Sequence, residues 1–216
     1  MAIQFNPLPQ TSAAGMFNIE SDGFIVGTAM PDPAARFQLA GGILATTETL
    51  PMFGGLAISE NVPIERTTAP ATPTRPDVAL GGSIVRGTVA PASGGAGAIT
   101  GFSVFDQNYA AYNTPQSPVP TCGPGGLVNF YRLGSLARVA LGAAATLAAA
   151  AEGAVILGPI YWDPVNLLVT NVSTSNLLLP VKVLAVKSSG CMLPVYTAGT
   201  GFTTWNYNGA AALVLL

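Results

Sequence analysis

The side chains able to do chemistry are few: ten carboxylates, two cysteines, scattered hydroxyls and no histidine. Without an imidazole the chain lacks the residue that exchanges protons near neutral pH, and with it the commonest metal ligand. The carboxylates are Glu20, Asp22, Asp32, Glu48, Glu60, Glu65, Asp77, Asp106, Glu152 and Asp163, and only Glu20 and Asp22 are near neighbours. Glycoside hydrolysis would need two of them across a cleft; on that reading, Asp106→Asn or Glu152→Gln would abolish turnover. Nucleophile motifs of the GxSxG and SxxK kinds are missing, and neither Cys122 nor Cys191 has a histidine to activate it. Gly94-Gly95-Ala96-Gly97 lacks the third glycine of a dinucleotide loop and the ending of a phosphate loop, so it reads as a turn. The sequence therefore predicts a protein that is not an enzyme, with no catalytic residue, no cofactor and no metal.

The remaining reactive or recognitive residues have plain structural readings. Cys122 and Cys191 are not in a paired-ligand spacing, which excludes structural zinc, and without an export signal free thiols are expected. Trp162 and Trp205, with Tyr161 and Tyr207, are the aromatics on which a sugar could stack. Tyr161-Trp162-Asp163-Pro164 reads instead as a strand running into a turn, where a large aromatic closes a barrel end or packs at an interface. Asn171-Val172-Ser173 matches a glycosylation sequon, which has no role in a chain that is not exported.

Composition says more than any motif. Eighteen of 216 residues are charged, 8% against about 25% in an average soluble domain, and the net charge is −2. Clustered Lys and Arg for nucleic acid are missing. A folded monomer of this mass exposes about 9,300 Å², so the charges are spread at about one per 500 Å². Such a surface is poor at staying apart from its neighbours, and a permanent partner covering much of it is the expected remedy. The N-terminal residues carry no basic region or apolar core of a signal peptide, and the apolar run 139–151 is too short to span a bilayer. No membrane partner is expected.

Residues 1–20 read as an extended arm: Pro7 and Pro9 forbid regular helix, while Phe5, Leu8, Met16, Phe17 and Ile19 have no compact pattern. Residues 21–216 read as one all-β domain, a sandwich or barrel of short antiparallel strands, with a Pro-rich excursion near 63–80. Strands are expected at 24–28, at 36–40 (stopping at Gly41-Gly42), at 56–58 and at 83–89. Others are expected within 99–105 and 126–141, at 155–157, 167–170 and 181–186, and at the C-terminal 212–216. Along 135–141, alternation puts Ala137, Val139 and Leu141 on one wholly apolar face. The Ala-rich run 143–151 has the strongest helix propensity of the chain and reads as either one short helix or a small-residue strand.

Several of these segments resemble tailed-bacteriophage virion proteins of the capsid decoration, or cement, kind. They are Arg36-Phe37-Gln38-Leu39-Ala40-Gly41-Gly42, Pro51-Met52-Phe53-Gly54-Gly55-Leu56-Ala57-Ile58, Tyr161-Trp162-Asp163-Pro164, Pro180-Val181-Lys182-Val183-Leu184-Ala185-Val186 and Gly201-Phe202-Thr203-Thr204-Trp205-Asn206. The resemblance implies a β-rich structural protein on the capsid exterior, made in the host cytoplasm. Its partners would be the major capsid protein and its own copies, as a homodimer or homotrimer. The arm would then wrap a capsid subunit, with Phe5, Leu8, Phe17 and Ile19 as contact residues. The alternative is a virion-displayed module that binds a glycan or host surface through Trp162 or Trp205.

Overall fold

Short β-branched and aromatic runs, cut every few residues by Gly or Pro, pair edge to edge more readily than they close a helix. The computed structural model describes residues 24–30, 35, 37–45, 48, 50–61, 87–91, 99–105, 118–151 and 158–216. In chain order they form β1 (Leu39–Leu44), β2 (Ala57–Asn61), β3 (Gly87–Pro91), β4 (Gly101–Ser103), β5 (Leu127–Arg132), β6 (Arg138–Gly142) and helix α1 (Ala145–Ala151). Then come β7 (Ile160–Asp163), β8 (Leu168–Thr170), β9 (Leu177–Leu179), β10 (Lys182–Thr197) and β11 (Phe202–Leu215). The expected all-β class holds, and the Ala-rich run supplies the short helix. No helix among the described residues is long and apolar enough to cross a membrane.

Five strands close a barrel in the order β1-β3-β2-β4-β5, with β1 and β3 parallel and the other neighbours antiparallel. The strand period of two divides the side chains between two cores. Ala40, Leu44, Ile58, Val128 and Phe130 fill the barrel, with Met52, Phe53, Val119 and Cys122 from its connections. On the outer wall Ala57, Phe102 and Tyr131 lie in one row across β2, β4 and β5. That row packs under two three-stranded sheets, β10-β11-β6 and β8-β7-β9, which bring Ala137, Val139, Leu141, Trp162, Val169 and Val214 against it. Trp162 is fully buried, its ring edge-on to Phe102 at 5.4 Å between centroids. Ala137, Val139 and Leu141 are all fully buried, as their alternation predicts.

Four local expectations are corrected. Residues 24–28 do not form a continuous strand: Ile25 and Ala29 each make a single bridge, to Met192 and Val139, on either side of a turn at Val26-Gly27. β1 does not stop at Gly41-Gly42 but runs through them, because cross-strand bonds to Asn129 and Val128 hold the glycines extended. Leu136 is no strand residue; it sits at φ 59° after Gly134, in the turn that feeds β6. The strand expected at 181–186 continues to Thr197, since Lys187-Ser188-Ser189-Gly190 is absorbed as a bulged stretch opposite β11. The arm at residues 1–20, the excursion at 63–80, the strand at 155–157 and the first half of 83–89 lie outside the described residues.

Gly27 shows how tightly the layers meet. Its φ is +87°, its N–H donates to the Ala140 carbonyl at 2.8 Å, and its carbonyl accepts from Phe105 N at 2.7 Å. A Cβ there would run into the Gly54 backbone, which has no side chain to move aside. Gly27→Ala is therefore expected to cost about 2–4 kcal/mol, from left-handed strain and overpacking together. A fall in the urea midpoint at unchanged m-value would register it.

Candidate partner interface

Among the described residues the outer wall of the barrel is covered along β2, β4 and β5 and exposed along β1. Tyr131, buried under the upper sheets, is the direct cross-strand neighbour of Leu39 on β1. Residues paired in this way share a face, so Leu39, Gly41 and Ile43 continue the outer row beyond the cover. Leu39 and Ile43 are exposed, and Phe37, two residues before Leu39, is 91% exposed. The inward residues of the same strand, Ala40 and Leu44, are buried. β1 is thus apolar on both faces, a pattern expected of a strand covered on both sides. Hydrogen bonds to β3 and β5 hold β1 on either edge. Sequence reading missed the exposed row Phe37, Leu39 and Ile43: it placed Phe37 and Leu39 in a strand but ended that strand at Gly41, before Ile43. Following the period of two to Ile43 would have exposed the second apolar face.

Elsewhere the described surface offers little chemistry. An open bowl of about 470 Å³ is lined by Leu136, Pro159, Ile160, Leu179, Val181 and Leu216, with Lys182 its one ionisable side chain. Among the described residues no cluster of acidic or cysteine side chains is placed to hold a metal. Glu60 is engaged by Arg132 in a two-pronged pair at 2.8 Å, and Arg132 also lies over the Phe130 ring. Asp106 and Glu152 lie outside the described residues, as do Phe5, Leu8, Phe17 and Ile19. Cys122 and Cys191 are free and buried, and burial pushes both thiols up, away from reactive thiolate. Trp162 has no exposed face for a sugar; Trp205 is half-buried, tilted against Phe105 at 5.8 Å.

Asp163 closes the turn after β7. Desolvation pushes its carboxyl up, but donors from the Asn166 side chain at 2.7 Å and from the Asn166 and Val165 backbone at 3.0 and 2.9 Å outweigh it. The net result is a carboxyl held below its ordinary range. A native value below the unfolded one adds stability that is complete above the unfolded value and lost as pH falls through the native one. Asp163→Ala should therefore cost about 1 kcal/mol at neutral pH. In paired melts, the gap from the parent should narrow once the pH drops through and below about 4.

The site is thus an apolar strip on the outside of a small closed barrel, and the class of protein is an all-β chain. No family model, no curated protein and no solved structure matches it.

Proposed function

We propose that the chain is a virion structural protein that binds the outer surface of a phage capsid and holds neighbouring capsomers together. The observation that carries the reading is the bare apolar strip Phe37, Leu39 and Ile43 on a barrel wall, in a chain with only 18 charges. Soluble monomers seldom leave contiguous apolar surface open without a partner. The resemblance of the Arg36 to Gly42 and Tyr161 to Pro164 segments to capsid decoration proteins supplies the kind of partner.

A shell packed with DNA is under tension. A clamp seated across two capsomers must be dissociated before they part, so its binding free energy adds to the local barrier. Apolar contact suits this work because, unlike ion pairing between exposed groups, it is not screened by salt. Co-sedimentation of the purified chain with empty phage shells tests the reading. Saturable binding that persists unweakened when salt is raised to about 1 M supports it. Binding that disappears at high salt, or none at any salt, contradicts it.

A further inference from the structure

β11 carries a second surface of different chemistry, around its bulge. Cys191 faces Gly209 and Leu193 faces Asn206, so Tyr207 and Asn208 together oppose the single residue Met192. Bulges of this kind re-aim side chains and recur beside binding sites. Here the bulge displays Asn206, Tyr207 and Asn208, all exposed, next to exposed Ser188 and Ser189 of β10. Tyr207 is 66% exposed.

The two amides are oriented by the backbone. Asn208 Oδ1 accepts from Gly190 N–H at 3.0 Å, and Asn206 Oδ1 accepts from Asn208 N–H at 3.0 Å. With both carbonyl oxygens engaged, each Nδ2 keeps its two N–H donors, and neither makes a hydrogen bond among the described residues. From Ser188 to Leu216 there is no Asp, Glu, Lys or Arg. A basic peptide would find no acid on these two strands, and for a phosphate or carboxylate the lysine nearest in sequence is Lys187, one residue before Ser188 and paired opposite Ala211 rather than opposite the bulge. An exposed phenol ring between two preset amides is instead the complement of a neutral sugar, whose C–H face stacks on the ring while its hydroxyls take the donors.

We infer that the Asn206-Tyr207-Asn208 bulge binds a neutral hexose-based oligosaccharide. The site is separate from the β1 strip, so the two readings stand or fall independently. The probes are maltohexaose, cellohexaose and chitohexaose, with hexagalacturonate as the charged control, titrated into the full chain and followed by saturation-transfer NMR. At least one neutral hexamer should bind saturably, and hexagalacturonate should not. Tyr207→Ala should abolish the signal. Asn208→Asp keeps the oxygen that accepts from Gly190 but removes the donors, so the melting temperature should hold while affinity falls about tenfold. Failure of all three neutral hexamers to bind overturns the inference. So does hexagalacturonate binding as tightly as they do, or neutral binding that survives Tyr207→Ala or Asn208→Asp unchanged.

Discussion

Trp162→Ala is expected to lower the stability of the fold by about 3–5 kcal/mol, a large share of what a single domain possesses. The indole is fully buried where β7 lies against the barrel wall, edge-on to Phe102, with Val169 and Leu177 as its cross-strand neighbours. Truncation removes the piece that joins the upper sheets to the barrel and leaves a cavity that neighbouring strands cannot fill without moving. Its Nε1–H is buried with no acceptor among the described residues, a loss of about 1–3 kcal/mol already built into the native state. Trp162→Phe removes that orphan donor while keeping an aromatic ring on Phe102. It should therefore cost less than about 2 kcal/mol. Urea unfolding followed by far-ultraviolet circular dichroism gives both values; equal losses for the two variants would contradict the packing account.

The paired substitution Phe37→Ser, Ile43→Ser has the opposite signature. Both side chains are exposed in the free chain, so the melting temperature should move little. Affinity for empty shells should drop by at least about tenfold, since apolar anchors at the centre of an interface carry most of its energy. Unchanged stability with lost binding marks a contact surface. A variant that binds as the parent does removes the β1 strip from the account.

How much was legible in the sequence depended on whether the deciding interaction was local. The alternating Ala137, Val139 and Leu141 and the buried C-terminal strand follow from period and propensity over a few residues, while at 143–151 propensity left helix and strand open and the fold takes the helix. Gly41-Gly42 misled because glycine ends strands on average, and only the ladder to β5 keeps it extended here. The long β10–β11 hairpin was legible at its base, at 181–186 and 212–216. Its outer half was hidden, because Lys187-Ser188-Ser189-Gly190 has turn chemistry that becomes a bulge only once β11 lies alongside. The exposed apolar row on β1 suffered most. Exposure of Phe37 and Ile43 depends on which parts of the barrel wall the upper sheets reach, and that is a property of strand order. Strand order, with β3 inserted between β1 and β2, is not written in any local pattern.

The most direct test combines native mass spectrometry of the purified chain with titration onto empty shells. The account predicts self-association into a dimer or trimer, and saturable attachment to shells that salt does not disperse. A chain that stays in single copies at high concentration and has no affinity for shells would contradict the claim that its charge-poor surface exists to be covered.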